Sequence, residues 1–429
     1  MSYQIQRGTY DAIGSDAMNM KKIEDALCAI ASTYGYIPIS IPTYEQTELF
    51  TRSVGESSDI VNKEMFSFLD KGGRNISLRP EMTAGVMRAI VTNKLYASDL
   101  PLKLYYVGNV FRYERPQAGR YREFKQFGIE CVGVNSYYLD AEAIIFGYNS
   151  LLMLGFPKVI LKINTIGDKE SRENYKKALK EYFKPYLESM CDDCKRRYET
   201  NVLRILDCKS LEDQKIIKNA PKISDYLSDR AKDYFNHILA ILDELQIEYE
   251  IDSSLVRGLD YYSEVVFEYH YVLENGINLG ALGGGGHYDD LLHEIGGPSL
   301  SSVGLAFGLE RINTLLKEID PCCYEKPSID IFMIHKGNKT KEHAFYLASD
   351  LRNQGFIVDM SYEEKNMGAQ FKLASRKNAS FALIIGENEM ENHIYGVKNM
   401  KTQHQVDVAF ENLVSYFDEN LEEVHNHEE

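Results

Sequence analysis

The order of apolar and polar positions predicts a helix near the start of the chain. Apolar side chains recur there at spacings of three and four, as on one face of a helix, at Met20, Ile23, Leu27, Ile30 and Tyr34. Ser15 or Asp16 can cap its start and Gly35 its end. Residues 37–42 that follow are extended, and Pro42 confines them to an edge, a bulge or a strand end because proline cannot donate to a ladder.

The next part of the chain alternates short strand-like runs with helices. Strands are predicted at 66–68, 77–78, 102–111, 124–134 and 159–164, and helices at 83–93 and 141–154. Residues 168–246 are charged and mostly helical, before strand patterns return at 247–251 and 256–269. This pattern predicts an α+β domain rich in hairpins, with residues 168–246 as a helical insertion.

A domain boundary is predicted near residues 320–327, where two prolines and an acidic stretch occur. Beyond it, strands at 329–334, 356–360 and 381–385 are separated by helical stretches, which predicts a small α/β domain with a partly parallel sheet. The sequence therefore divides into residues 1–325, residues 326–420 and a polar tail, 421–429, that we expect to be disordered.

Composition narrows the class of protein. The 429 residues, 44% of them apolar, are enough for two or three packed domains. The longest apolar runs are too short to span a bilayer, no secretory leader is recognisable, and seven cysteines suit a reducing compartment, so we expect a cytoplasmic protein. The net charge of −16 means that a nucleic-acid partner has to be held by local basic patches.

One basic patch is the segment 111–130, FRYERPQAGRYREFKQFGIE. Two apolar runs flank a polar loop that contains Pro116 and Gly119, which predicts a long hairpin. It carries five cationic side chains, those of Arg112, Arg115, Arg120, Arg122 and Lys125. Arginine suits phosphate because its planar fork makes paired, charge-assisted hydrogen bonds. Composition alone favours the plainer interpretation of a solvated charged hairpin.

The hairpin resembles the second signature motif of class II aminoacyl-tRNA synthetases, in the form found in histidyl-tRNA synthetases. The resemblance implies that Arg112 holds the α-phosphate of ATP, with Glu114 also at the ATP site. It further implies that Arg120 reaches the terminal phosphates and that Gln117 meets the acceptor end of the tRNA.

Other segments resemble further motifs of the same family, in the same order. Residues 304–311, GLAFGLER, resemble the third class motif, in which Arg311 would clamp the tail of ATP, and Pro42 matches the first motif, which builds a dimer interface in this class. Residues 255–262, LVRGLDYY, and 284–291, GGGHYDDL, resemble the histidine-specific signatures. The run of four glycines at residues 283–286 is not a phosphate-binding P-loop, because no Lys-Ser or Lys-Thr follows it.

The implied reaction is attack of the histidine carboxylate on the α-phosphorus of ATP, so cations that position and neutralise charge are the expected catalysts. Arg112 and Arg257 fit that role, and Arg257 could pair with both the carboxylate of the bound histidine and the α-phosphate. Selection of histidine requires a donor and an acceptor for the two ring nitrogens, and Glu130 and Tyr262 could supply them. The resemblance implies the same pair, adds Glu81, Thr83 and Gln126 as partners of the substrate ammonium, and lines the pocket with Tyr261 and Tyr288.

Metal chemistry enters in two ways. Mg²⁺ is expected with ATP because it offsets phosphate charge. Cys191, Cys194 and Cys208 form a CxxC pair and one more cysteine, which supply three of the four ligands of a structural zinc site. The fourth would have to be Cys28, Cys131 or a distant residue. Reduced thiols in the insertion are the favoured interpretation, and zinc is the alternative.

The main hypothesis is a homodimeric histidine–tRNA ligase, whose C-terminal domain binds the anticodon of tRNA(His). The first alternative is a catalytically silent histidine-sensing relative of the kind that regulates ATP phosphoribosyltransferase, which typically lacks the C-terminal domain and the ATP-site arginines. The second is a duplicated synthetase with a specialised role. It is suggested by departures from the family pattern beside the pocket, namely Met82 and Asp290 for glycine, His287 for arginine, and the tyrosine of RGTYD at Tyr10.

Overall fold

The computed structural model describes residues 3–55, 58, 60–116, 119–255, 259, 261–321 and 328–426. The chain divides into two compact units, Met1–Ala12 with Asn19–Pro321, and Ile13–Met18 with Cys322–Glu429. Among the described residues, no helix combines the length and the apolar character that crossing a membrane requires.

An eight-stranded sheet is the centre of the first unit. The strands before the insertion are β1 (Ile37–Pro38), β2 (Tyr44–Gln46), β3 (Ser67–Leu69), β4 (Asn75–Leu78), β5 (Leu102–Phe111), β6 (Glu123–Val132) and β7 (Ile160–Gly167). After the insertion come β8 (Tyr249–Ile251), β9 (Ser263–His270), β10 (Gly283–Tyr288) and β11 (Ser302–Gly308). The large sheet has the order β1-β5-β6-β11-β10-β9-β7-β8, and β2-β4-β3 form a small sheet. In the large sheet, the two pairs at the edges, β1 with β5 and β7 with β8, are parallel, and the other described pairs are antiparallel.

Helices cover this sheet and the connections around it. They are α1 (Ser15–Thr33), α2 (Thr47–Val54), α3 (Thr83–Thr92), α4 (Tyr137–Met153), α5 (Lys169–Phe183), α6 (Asp192–Thr200), α7 (Leu211–Ile217), α8 (Asp229–Glu244), α9 (Leu291–Glu294) and α10 (Leu309–Ile319). The predicted apolar face of α1 is confirmed, because Met20, Ile23, Leu27 and Ile30 are buried in the main core. The edge position of the segment before Pro42 is also confirmed by the pairing of β1.

Two parts of this unit differ from the sequence prediction. The strand expected at 256–269 begins at Ser263, and residues 256–258 and 260 lie outside the described ranges. The glycine run 283–286, for which no strand was predicted, forms most of β10, since its partners on both sides supply the pairing that glycine's weak strand preference does not.

The predicted helical insertion separates into two parts in the structure. Helices α5, α6 and α7, with the tight turns Lys184–Ser189, Val202–Asp207 and Ile223–Asp225, enclose a small core of their own around Leu179, Phe183 and Ile205. Helix α8 instead buries Phe235, Ile238 and Leu242 in the main core.

The second unit has a five-stranded sheet of order β13-β12-β14-β15-β16. Its strands are β12 (Ile329–His335), β13 (Val358–Met360), β14 (Ala379–Ile385), β15 (Ile394–Asn399) and β16 (Gln405–Ala409), and its helices are α11 (Asn338–Asn353), α12 (Met367–Arg376), α13 (Glu387–Asn392) and α14 (Leu413–Asn426). The pairs of β12 with β13 and β14 are parallel and the other two are antiparallel, as a partly parallel α/β sheet requires.

The end of the second unit corrects the predicted disordered tail. Helix α14 continues to Asn426, so residues 421–426 are helical, and only 427–429 lie outside the described ranges. The reason is the spacing of four between Leu413, Phe417 and Leu421, which places all three on one face against the core.

Candidate active site

A cavity of about 400 Å³ is lined by residues of β5, β6, β10 and β11 and by the ends of α3 and α10. Residues two and four apart on a strand share a face, so Gln126 and Glu130 both point into it. Its lining includes the predicted site residues Glu81, Thr83, Arg112, Glu114, Arg120, Gln126, Glu130, Tyr261, Tyr262, Tyr288 and Arg311. Gln117 and Arg257, also predicted, lie outside the described residues.

The carboxylate of Glu130 forms the floor of the cavity and is 1% exposed. It accepts hydrogen bonds from the hydroxyls of Thr83, at 2.7 Å, and Tyr106, at 3.2 Å, and from the hydroxyl of Tyr288. Burial raises its pKa to about 8, against the lowering effect of these hydroxyl donors. Because an ionised carboxylate offers about four acceptor positions, one remains for a ligand that donates an N–H.

Glycine at position 304 makes room for this carboxylate. Gly304 on β11 pairs directly with Glu130 on β6, and a Cβ there would lie 2.0 Å from Glu130 Oε2. A second glycine, Gly286, makes room for the ring of Tyr262, because a Cβ at this position would lie 2.8 Å from that ring. The GGGHYDDL and GLAFGLER segments therefore leave space for the pocket side chains.

A ring of tyrosines surrounds the floor. The ring centroids of Tyr261 lie 4.6 Å from Tyr262 and 5.3 Å from Tyr288, and all three side chains are buried. Tyr106, which the sequence analysis missed, belongs to the same group through its bond to Glu130. It lies five residues before the motif segment 111–130, and the register of β5 against β6 brings it to the site.

Glu81 lies two residues before helix α3, and its carboxylate binds the first backbone N–H groups of that helix. Its two carboxylate oxygens accept the backbone N–H groups of Thr83, at 2.7 Å, and Ala84, at 2.9 Å. Burial raises its pKa, and these N–H groups counteract that rise. Glu81 therefore holds the start of α3, and with it the Thr83 hydroxyl, at the floor of the site.

Arginines occupy the other end of the cavity. Arg112 donates from Nε to the carbonyl oxygen of Pro80, at 2.8 Å, and its guanidinium lies 5.4 Å from the centroid of the Phe124 ring. Arg120 lies 3.5 Å from Glu114. Arg311 donates to the carbonyl of Ala281, while its buried Nε has no hydrogen-bond partner among the described residues. A buried, unsatisfied cationic donor beside two further arginines fits a polyanionic ligand.

A second carboxylate lies at the arginine end. Glu310, buried and one residue before Arg311, accepts the backbone N–H of Lys125 at 2.9 Å and the hydroxyl of Tyr10 at 3.3 Å. Burial raises its pKa to about 7. Tyr10 also packs its ring 4.7 Å from that of Tyr121. The unusual tyrosine of the RGTYD segment thus contacts the wall of this end of the cavity.

His287 is the centre of a buried ion pair behind the pocket tyrosine. Its Nδ1 lies 2.9 Å from Asp140 Oδ1 and its Nε2 3.0 Å from Asp289 Oδ1, and the side chain is 1% exposed. Burial lowers the pKa of His287, but the two carboxylates outweigh it and raise the pKa to about 10. A charged imidazole therefore occupies the position at which the family pattern has arginine.

Met82 and Asp290, which stand where the family pattern has glycine, adopt backbone conformations that do not require glycine. Met82 has φ −103° and ψ −29°, and Asp290 has φ −99° and ψ −15°, which are conformations open to any residue. Met82 is buried against the core beside the pocket, and Asp290 is exposed before α9. Neither substitution strains the backbone.

The three cysteines of the insertion also come together. Cys191, Cys194 and Cys208 lie with Asp213 in one cluster, in which the potential ligand atoms are all within 4.8 Å of one another. Asp213 was missed because a carboxylate is an uncommon partner of cysteine in zinc sites, and only the fold brings α7 beside α6.

An antiparallel sheet, a basic hairpin, a strand-to-helix arginine and a buried carboxylate in one cavity are the features of a class II aminoacyl-tRNA synthetase catalytic domain. The chain matches the family model of histidyl-tRNA synthetase over residues 8–312 and that of the anticodon binding domain over residues 329–420. The chain belongs to the histidyl-tRNA synthetase family.

Individual relatives agree with the family. A histidine–tRNA ligase of Thermosipho melanesiensis is 46% identical over 415 residues, which cover 96% of this chain and 97% of the relative. The histidine–tRNA ligase of Bacillus subtilis is 43% identical over 421 residues, which cover 96% of this chain and 98% of the relative. The crystal structure of apo S. aureus histidyl-tRNA synthetase superposes with a TM-score of 0.82 at 35% identity, covering 97% of this chain and all of that one.

Proposed function

We propose that the protein is a histidine–tRNA ligase, which activates L-histidine with ATP to histidyl-adenylate and transfers the histidyl group to tRNA(His). The observation that carries the proposal is a single cavity with the buried Glu130 carboxylate at one end and Arg112, Arg120 and Arg311 at the other. Its size suits an amino acid joined to a nucleotide. Full-length relatives named histidine–tRNA ligase support the same activity.

In the proposed mechanism, an imidazole N–H of histidine donates to Glu130, and the histidine carboxylate is directed toward Arg112. A carboxylate oxygen attacks the α-phosphorus of ATP, the bond to the bridging oxygen breaks, and its electron pair leaves with pyrophosphate. Arg120 and Arg311 neutralise charge that develops on the leaving group. In the second step a tRNA hydroxyl attacks the acyl carbon, and AMP leaves.

Magnesium is proposed as the partner of ATP. Glu114 and Glu310 line the arginine end, and hard carboxylate oxygens are what Mg²⁺ prefers. Burial raises the pKa of Glu310 although the positive charge of Lys125 lowers it, so a further cation would stabilise the ionised carboxylate. These two side chains would hold the ion, which supplies positive charge to the phosphates.

We further propose a cytoplasmic homodimer with residues 1–325 as the catalytic domain and residues 326–420 as the anticodon-binding domain. The match of residues 329–420 to the anticodon binding domain supports tRNA as the partner. It also disfavours the silent histidine-sensing alternative, which would lack this domain and the ATP-site arginines. Gln117 and Arg257 keep their proposed roles at the acceptor end and at the α-phosphate.

The test is exchange of pyrophosphate into ATP by the purified protein, with each of the twenty amino acids in turn. We expect exchange with histidine alone, and a loss of about 100-fold or more in Arg112→Ala, because a cation at the reacting phosphate is removed. Arg115→Ala is the matched control, since Arg115 lies on the same hairpin but is exposed and does not line the cavity.

The outcomes separate the alternatives. Exchange with histidine followed by charging of tRNA(His) supports the ligase. Binding of histidine without exchange by any amino acid would leave the sensing relative. Exchange with histidine but no charging of tRNA would indicate a specialised duplicate.

A further inference from the structure

The helical insertion contains a cluster of soft ligands that the proposed reaction does not use. Cys191 precedes α6, Cys194 lies in its first turn, Cys208 follows the turn Val202–Asp207, and Asp213 lies in the first turn of α7. Four separate points of a small subdomain thus meet at one place. We infer that the insertion binds one Zn²⁺ ion through these three thiolates and one carboxylate.

The distances suit a tetrahedral ion. The sulfur atoms of Cys191 and Cys208 are 3.8 Å apart. Zinc–sulfur bonds of about 2.3 Å at the tetrahedral angle place two sulfurs roughly 3.8 Å apart. A disulfide would need about 2.05 Å. The Asp213 Oδ2 atom lies 3.4 Å from the Cys208 sulfur, which also fits two ligands of one ion.

The surroundings of Asp213 favour a cation at this place. Asp213 is 1% exposed, and the described partners of its carboxylate are the backbone N–H of Cys191, at 3.2 Å, and the thiols of Cys191, Cys194 and Cys208. None of these partners carries positive charge. A buried carboxylate among three thiols is costly by itself, whereas Zn²⁺ turns the same four groups into ligands.

Neighbouring backbone groups support the sulfur ligands. The N–H of Ser210 donates to the Cys208 sulfur at 3.4 Å, as outer hydrogen bonds to a metal-bound thiolate do. Cys194 and Cys208 are buried, and four protein ligands leave no open position, so the ion would be structural and not catalytic.

The site would hold the turn Val202–Asp207 between α6 and α7. This turn carries Arg204, whose buried side chain lines the active-site cavity. The insertion has only a small core of its own, and small cores are commonly reinforced by a metal. The ion would therefore fix an element through which the insertion contributes Arg204 to the cavity wall.

The test uses the full-length protein and does not depend on the proposed ligase activity. Metal content is measured by elemental mass spectrometry after exchange into metal-free buffer, and Co²⁺ replacement is followed by absorption. We expect about one Zn²⁺ per chain and, with Co²⁺, the thiolate-to-metal band and the visible bands of a tetrahedral site. Cys194→Ser and Asp213→Asn should lower the bound metal. Cys28→Ser, a thiol outside the cluster, should leave it unchanged.

A second readout covers variants that fail to fold. Wild-type protein stripped of metal by a chelator should show faster amide hydrogen exchange across residues 191–213, and Zn²⁺ should restore the slow exchange. Wild-type protein that binds neither Zn²⁺ nor Co²⁺ above background would overturn the inference. Full metal retention in Cys194→Ser, or exchange that is unchanged by the chelator, would overturn it as well.

Discussion

Glu130 concentrates the proposed specificity in one carboxylate. Three hydroxyls already donate to it, so the group is positioned before a ligand arrives. An amino acid whose side chain has no N–H to donate would leave the buried Glu130 carboxylate without its fourth hydrogen bond. The site therefore disfavours such amino acids.

We predict that Glu130→Gln lowers histidine-dependent pyrophosphate exchange by about 100-fold or more, since an amide is a weaker acceptor and adds donors that compete with the three hydroxyls. The measurement is kcat/KM for histidine. Glu123→Gln, on the same strand but outside the cavity lining, is the control and should stay near wild type. A Glu130→Gln enzyme within about tenfold of wild type would contradict the assigned role.

His287 makes stability depend on pH. Its pKa is raised from 6.5 to about 10 in the fold, so the stabilisation by its charge is fully present below pH 6.5 and is lost as the pH rises toward 10. We predict that His287→Gln lowers the free energy of unfolding by about 3–5 kcal/mol at pH 6, because the buried Asp140 and the half-buried Asp289 lose their cation.

The difference between wild type and His287→Gln should shrink between pH 6.5 and 10, and denaturant unfolding across that range measures it. Asp290→Asn, at an exposed neighbouring position, should follow the wild-type curve. A difference that is independent of pH would mean that His287 is neutral in the fold.

Strand β11 connects the two ends of the cavity, because Gly304 faces Glu130 and Gly308 directly precedes α10, whose first turn carries Arg311. We predict that Gly304→Ala destabilises the fold by about 1–3 kcal/mol and raises KM for histidine, since its Cβ would overlap the Glu130 carboxylate. Thermal unfolding and exchange kinetics measure both effects.

Gly308→Ala is the matched control for stability, because a Cβ there meets nothing within 4 Å. Its effect should remain within about 0.5 kcal/mol. Equal destabilisation by both substitutions would show that glycine flexibility, and not space for Glu130, matters on this strand.

Local sequence patterns predict some elements of this fold and not others. Periodicity was sufficient for α1, and apolar runs around a polar loop were sufficient for the β5–β6 hairpin. Motif resemblance supplied most of the cavity lining. Tyr106 and Asp213 were not predicted. Tyr106 reaches Glu130 through the pairing of β5 with β6, and Asp213 reaches the cysteines through the fold of the insertion, and local sequence patterns encode neither contact. The helical end of α14 was missed because polar composition outweighed one apolar stripe.

At the scale of the molecule, the hydrophobic core of the second unit is separate from those of the first. We predict that Phe417→Ala, a fully buried side chain of α14, lowers the stability of the second unit by about 3–5 kcal/mol. Histidine-dependent exchange should be unaffected, whereas charging of tRNA(His) should fall. Phe410→Ala, which removes an exposed ring from the same unit, is the control.

The measurements are denaturant unfolding, pyrophosphate exchange and tRNA charging on the same preparations. A Phe417→Ala protein that loses exchange and charging together would show that the catalytic unit depends on the folding of the second unit.

The raised pKa of Glu130 also has a calorimetric consequence. With a pKa of about 8 in the free protein, this carboxyl is mostly protonated at pH 7. To accept an imidazole N–H in addition to the three hydroxyls, it needs the four acceptor positions of the ionised form. Histidine binding should therefore release up to about one proton to the solution. The heat of titration at pH 7 should then differ between phosphate and Tris in proportion to their ionisation enthalpies, and Glu130→Gln should remove that difference.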